Sequence, residues 1–391
     1  MIEKSAFALT DELIEIRREL HRIPEICFEE YKTSAFIQNK LTEYGIPFQI
    51  MAKTGVVGLI QGEKPGKTIL LRADMDGLPI QEEADVPYTS EHEGFMHACG
   101  HDVHVTCLLG AAKLLYNMKS SLSGNVKLVF QPAEEGEGGA LPMIKAGVLE
   151  NPHVDAAFAL HVEPLAEVGT LQFKNGSIMA SPDDFEFTVF GKGGHGGAPH
   201  KCVDPILAAA MIINNFQAVV SRDMNPMLPC VVSVCAIHAG TCHNVIPDSA
   251  HVLGTARALD PDTRRFLAER LEKVAVDTAK ALRAECEFTF EPLYPPVIND
   301  KEMTALAAEA AKELQCIREN IWLEEASMAG DDFSYFIENI PGSYFKLGVG
   351  NKEDGICEPI HSSKFRIDEK ALPIGTAVLT QIAVKYLDNS Q

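Results

Sequence analysis

The chain has 391 residues, 46% of them hydrophobic and 23% charged, an ordinary composition for a globular protein with room for two domains. Its formal net charge of −21 excludes nucleic acid and anionic membranes as natural partners. Its 10 cysteines show no paired framework, the N-terminus carries no basic-then-apolar leader, and no apolar run is long enough to span a bilayer, so a cytoplasmic protein with reduced thiols is expected.

Taken in order, Thr10 or Asp11 can cap a first helix through Leu20, with Leu13, Ile14, Ile16 and Leu20 at helical spacing and Pro24 as its stop. A second helix is expected over about 32–43, closed by Gly45. Strands follow at 55–60 and 68–72. The run Thr68-Ile69-Leu70-Leu71 is continuously apolar, as a strand covered on both faces should be, and it leads into Arg72-Ala73-Asp74-Met75-Asp76-Gly77.

The densest chemistry lies in Met96-His97-Ala98-Cys99-Gly100-His101-Asp102-Val103-His104. Cys99 and His101 flank a glycine, so in an extended loop a soft sulfur and an imidazole can face one side, as a zinc-like ion requires. An amphipathic run from Asp102 to about residue 115 places that loop at a helix N-terminus, where the dipole favours a thiolate. A buried strand over 126–130 then runs into Gln131-Pro132-Ala133-Glu134-Glu135-Gly136, and one over 156–160 into His161-Val162-Glu163. Three strands each ending in a polar cluster describe one convergent site beyond the carboxyl ends of a parallel sheet.

From residue 182 the texture changes. Phe185-Glu186-Phe187-Thr188-Val189-Phe190 alternates strictly and is followed by the glycine-rich Gly191–His200 loop. Asp204-Pro205 opens a helix to about 220. Strands over 230–237 and 250–256, a helix over about 261–283 and a strand over 287–291 complete a β-α-β-β-α-β order, the split βαβ sandwich. The expected organisation is a first catalytic segment 1–181, an inserted domain 182–294 and a second catalytic segment 295–391. The last contains Gly330-Asp331-Asp332-Phe333, a strand over 344–348, His361 and a final helix over about 368–387.

The candidate ligands are Cys99, His101, Glu135, His161 and His361. Each alone is ordinarily a packed or surface residue; together they exceed what one tetrahedral zinc takes, so two ions are expected. Glu134 is the candidate proton acceptor and Asp76 the residue that orients a ligand. A cysteine hydrolase built on Cys99 with His101 or His161, and a non-catalytic binding protein on the same scaffold, are the competing readings.

On these motifs, together with Leu20-His21-Arg22-Ile23-Pro24-Glu25, Gly193-Gly194-His195-Gly196-Gly197-Ala198-Pro199-His200, Asn244-Val245-Ile246-Pro247-Asp248 and Pro359-Ile360-His361-Ser362, the chain resembles the dinuclear-metal aminoacylase and carboxypeptidase family. The resemblance is strongest to the branch of hippurate hydrolases, N-acetyl-diaminopimelate deacetylases and plant auxin–amino-acid conjugate hydrolases. It implies an α/β, zinc-peptidase-like catalytic domain with a central, mostly parallel twisted sheet flanked by helices. It also implies an inserted α+β, ferredoxin-like lid and dimerisation domain, and hence a homodimer or higher homo-oligomer. The implied activity is cleavage of the amide bond of N-acyl amino acids at two divalent ions (Zn, Mn, Co or Ni). Cys99, His101, Glu135, His161 and His361 are the implied ligands, Glu134 the general base, and His195 and Asn244 the substrate and oxyanion contacts. The family's catalytic aspartate falls in Arg72–Asp76; Asp76 is favoured and Asp74 remains the alternative. Asp331 and Asp332 read as helix caps or ligand supports. Arg257 could bind a substrate carboxylate or be a strand-end charge, and the role of His243 stays open.

Overall fold

From Thr68 to Asp74 every residue of one strand is buried, and the larger part of the protein is built around that strand. The computed structural model describes residues 1–389. The chain divides into two compact units, one made of residues 1–176, 298–324 and 332 onward, the other of 177–297 with 325–331.

The first unit holds an eight-stranded sheet. Its early strands are β1 (Phe48–Met51), β2 (Gly55–Gln61), β3 (Lys64–Asp74), β4 (Ser123–Gln131), β5 (Ala156–Glu167) and β6 (Thr170–Phe173). The order is β1-β2-β4-β3-β5, then Gly342–Gly350, β6 and Glu319–Trp322. At the centre, β4, β3, β5 and Gly342–Gly350 all run parallel. The β1–β2 and β2–β4 pairs are antiparallel. The helices are α1 (Ile2–Phe7), α2 (Thr10–Arg22), α3 (Tyr31–Tyr44), α4 (His101–Asn117) and, among later ones, Ala371–Asp388. One core joins Leu13, Ile16 and Leu20 of α2, Leu108 and Leu109 of α4 and Val378 and Ile382 of the last helix to Ile69, Leu71, Val126 and Phe158 of the sheet. This apolar layer fixes the strand ends relative to α4.

Gly45 closes α3 in the left-handed region at φ 76, as expected. The start of α2 differs from expectation. Its N-cap is Leu9 without a side-chain bond, because α1 feeds directly into it and Thr10 Oγ1 donates back to Phe7 O. Two boundaries shift near the polar clusters. β5 continues to Glu167, so His161 lies inside a strand rather than after it, and α4 begins at His101 itself.

The second unit has the strand-helix-strand-strand-helix-strand order Ser181–Phe190, Pro205–Ala218, Cys230–Ala239, Ser249–Ala258, Pro261–Ala281, Glu285–Glu291. Its antiparallel sheet runs Cys230–Ala239, Ser249–Ala258, Ser181–Phe190, Glu285–Glu291, the split βαβ arrangement. The alternation is real: Phe185, Phe187 and Val189 enter a core with Ile212, Phe216, Leu267 and Leu271, while Glu186 points out. Asp204 and Asp260 cap the two helices, each followed by proline at the first helical position. Among the described residues no helix is long and apolar enough to cross a membrane.

Candidate metal centre

Four loops and elements of the first unit meet at the carboxyl ends of β3 and β4. Asp74 ends β3, and Asp76 follows it. Glu134 and Glu135 follow β4. Cys99 lies in the turn before α4, His101 is the first residue of that helix, and His161 sits in β5. Gly100 makes the turn possible. Its φ is 87, and a Cβ there would stand 2.6 Å from a Val162 methyl, so both conformation and space demand glycine. His361 adopts φ 63, and its N–H donates to Ala98 O at 2.8 Å, which ties its loop to the residue before Cys99. Ala133, just before Glu134, is also left-handed at φ 55. Strained backbone of this kind persists where surrounding structure over-determines it.

The structure brings all of the expected ligands together. The ligand atoms of Cys99, His101 and His161 lie within 4.8 Å of one another, and so do those of Cys99, Glu135 and His361. Two triads thus share one thiol. Cys99 Sγ is 3.5 Å from His161 Nε2, and Glu135 Oε1 is 3.3 Å from His361 Nε2 and 3.8 Å from His101 Nε2. His161 Nδ1 donates to Val162 O at 2.8 Å, which leaves Nε2 with a lone pair facing Cys99.

These residues suit divalent cations. Both ring nitrogens of the fully buried His101, and Glu135 Oε1, have no hydrogen-bond partner, a costly condition for buried polar atoms unless something else satisfies them. Asp76 Oδ1 lies 3.3 Å from His101 Nδ1 but without hydrogen-bond directionality. The local charge points the same way. Burial, then the Glu135, Glu134 and Asp74 carboxylates, push the Cys99 thiol well above its ordinary range. Burial lowers the pKa of His101, but Asp74, Asp76 and Glu135 outweigh it and push it up to about 10. The carboxylates of Asp74, Asp76, Glu134 and Glu135 put negative charge around both groups, which favours a cation there. Soft sulfur with imidazole and carboxylate fits zinc, cobalt, nickel or manganese.

Asp76 and Asp74 do different work. Asp76 accepts the N–H of Glu134 at 3.1 Å and of Glu135 at 3.0 Å, so it grips the carboxylate loop. Asp74 is committed to Arg72 and His104, each at 2.5 Å. Arg72 also binds Gln131 Oε1 at 2.8 Å and Asp332 Oδ1 at 2.9 Å. Asp332 is not the N-cap of the helix Ser334–Ile337, whose cap position is Phe333; its carboxylate accepts from Arg72, from Gln131 and from the N–H of Ala140, the first residue of the helix Ala140–Lys145. His104, Arg72, Gln131 and, further out, Glu30 are participants that the motifs did not single out. The available signals were the three-residue spacing of His101 and His104 on one helix face and the period-two run Arg72, Asp74, Asp76.

In the second unit, His195 and Asn244 lie on adjoining exposed segments. His195 pairs with Val245 in a two-stranded ribbon, and Gly196 N–H donates to Asn244 O at 2.9 Å. His195 Nδ1 accepts from Gly197 N–H at 2.9 Å, which puts the proton of the neutral ring on Nε2, as a donor. Arg257 donates through Nη1 to Asp183 O, Ala256 O and Thr255 Oγ1. His243 is exposed.

Residues 70–385 match the peptidase family M20/M25/M40. The chain is 41% identical over 383 residues to thermostable carboxypeptidase 2 of Saccharolobus solfataricus, spanning 97% of this chain and 96% of that protein. It is 41% identical over 388 residues to N-acetyl-L-cysteine deacetylase of Bacillus subtilis, spanning 98% and 90%. A solved dinuclear metal binding peptidase of the same species superposes with a TM-score of 0.86 at 37% identity, over 97% of this chain and 99% of the other.

Proposed function

The chain belongs to the peptidase family M20/M25/M40, a family of hydrolases, and from that premise we propose that it cleaves the amide bond of N-acyl amino acids at two divalent cations. The observation that carries the reading is the pair of ligand triads sharing Cys99. Cys99, His101, Glu135, His161 and His361 hold the cations, which when bound supply Lewis acidity and a more acidic water. The dinuclear relative supports the number of ions, and the deacetylase supports the substrate class.

The chain's own groups then divide the work. Glu134, 3.9 Å from His101 Nε2 and nearly buried, accepts the proton of the attacking water. As the water oxygen bonds to the carbonyl carbon and the C–N bond breaks, Glu134 returns that proton to the leaving amine. Asp76 keeps the Glu134–Glu135 backbone in register. For His195 Nε2–H and the Asn244 amide we propose the donor roles that the resemblance of their loops implies, each worth on the order of a few kcal/mol. The inserted unit presents an unpaired edge at Cys230–Ala239 and exposed Ile206, Leu207 and Met211 on the neighbouring helix, which supports association through it into a homodimer.

The deciding experiment is a screen of N-acetyl, N-benzoyl and N-succinyl amino acids with Mn, Co, Ni and Zn, before and after chelation. Turnover that a chelator abolishes and added metal restores is expected. Turnover indifferent to chelator, or none on any substrate with metal bound, sinks the proposal.

A further inference from the structure

We infer that Glu30 is a positioning residue for the Glu134–Glu135 loop, acting through the backbone N–H of Ala133; this rests on the reading of Glu134 as the proton acceptor. Glu30 lies at the start of α3, and none of it is exposed. Its Oε1 accepts the N–H of Ala133 at 2.9 Å and of Phe28 at 3.0 Å, and its Oε2 accepts the Thr54 hydroxyl at 2.6 Å. Every one of these partners is neutral, so the carboxylate is buried without an ion pair to compensate it. Such a group does little for stability that a neutral side chain could not do. What it does have is reach into three strained corners.

Phe28, Lys53 and Ala133 all have positive φ, at 58, 71 and 55. Glu30 bonds to the N–H of the first, to the side chain following the second, and to the N–H of the third. Ala133 has a Cβ and relaxes out of the left-handed region unless held. The hold is shared. Three consecutive N–H groups, those of Ala133, Glu134 and Glu135, are taken by two carboxylates, Glu30 and Asp76. Asp76 grips the loop from the β3 side and Glu30 from the α3 side. The chain around Glu30 presses on the loop as well, since a Cβ at Gly136 would stand 2.4 Å from Cys27 Sγ. Without Glu30, the Pro132–Ala133 peptide loses its N–H anchor and Ala133 relaxes out of the left-handed region, so the Glu134 carboxylate shifts from its place beside His101 although Asp76 keeps the Glu134 N–H. Asp76 still holds Glu135, so the cations stay.

Three variants of the metal-loaded enzyme separate reach from charge. Glu30→Asp keeps the charge but is one carbon short of Ala133; Glu30→Gln loses the charge but its amide oxygen still reaches; Glu30→Ala does neither. Hydrogen exchange over residues 131–139 needs no substrate and is expected to speed up at least ~10-fold in the Asp and Ala variants and to stay near wild type in Gln. On the best substrate of the N-acyl screen, kcat is expected to fall at least ~10-fold in Asp and Ala, with KM within ~3-fold, and to recover in Gln. If the Ala variant does not fold, the Asp–Gln comparison decides alone. The reverse order, with Asp active and Gln impaired, overturns the inference, as does unchanged exchange in the Asp variant. Full activity in Glu134→Gln instead removes the catalytic reading, and the exchange data still judge Glu30.

Discussion

The backbone N–H of Val162 donates to His104 Nε2 at 2.9 Å, and that bond decides where the His104 proton sits. Nε2 accepts, so Nδ1 carries the proton and donates to Asp74. His104 therefore has no nitrogen left for a cation, although its ring lies 4.6 Å from that of His161. It links the Arg72–Asp74 pair to the backbone beside His161. His104→Ala is expected to weaken cation affinity about 10–100-fold while leaving the helix content intact. Calorimetric titration of zinc into the metal-free variant measures this, and wild-type affinity would count against the link.

Adjacent carboxylates are expected to fail differently. Glu135 Oε1 has no hydrogen-bond partner and faces His361 and His101, so Glu135→Ala should lose a cation by elemental analysis. Glu134→Gln should keep both cations while kcat drops at least ~10²-fold. Equal metal loss in the two variants would mean that their roles are misassigned.

Removing the cations should also be visible without substrate. His101 and Glu135 carry unsatisfied buried atoms beside the Cys99 thiol, and a bound cation satisfies them only in the folded state. At a free metal concentration about 1,000-fold above Kd, this linkage amounts to ~4 kcal/mol. A chelator should therefore lower Tm by several degrees, and added metal should restore it. A Tm indifferent to the chelator, in a sample shown to have lost its metal, would contradict the fit.

How much of this was legible in the sequence follows from which physics is local. The apolar run at Thr68–Leu71 announced a doubly covered strand, and Asp204-Pro205 announced a capped helix, because both signals lie within a few residues. The meeting of Cys99, His101 and Glu135 was readable because they stand in dense motifs next to predicted strand or helix ends. Boundaries were less readable. β5 runs on past His161 because its partner strand Gly342–Gly350 continues beside it, a pairing that no local pattern reports. Glu30 was invisible for the same reason. Its meaning comes from an N–H 103 positions away, on a residue whose strain cannot be read from an alanine in the text.

The buried cluster behind α4 gives a stability prediction with a definite sign. His21 Nδ1 lies 2.8 Å from Asp102 Oδ2 and Nε2 3.2 Å from Glu82 Oε1, while Arg17 Nε also meets Asp102 Oδ2 at 2.8 Å. Burial and then the Arg17 charge pull the His21 pKa down, but the Asp102 and Glu82 carboxylates outweigh them and leave it raised. With Asp102 the nearer partner of Nδ1, that nitrogen donates rather than accepting from Arg17 Nη2 at 3.2 Å. A histidine whose folded pKa is raised binds a proton more tightly in the folded state. Its stabilisation is complete below the ordinary value of about 6.5 and fades as pH rises through the folded value. His21→Gln cannot take up that proton, so it should cost about 1–3 kcal/mol near pH 6, and the gap to wild type should narrow toward pH 9. Denaturant unfolding of both proteins at several pH values measures the gap. A gap that widened with pH would mean that His21 is neutral in the fold and that Asp102 is held by Arg17 alone.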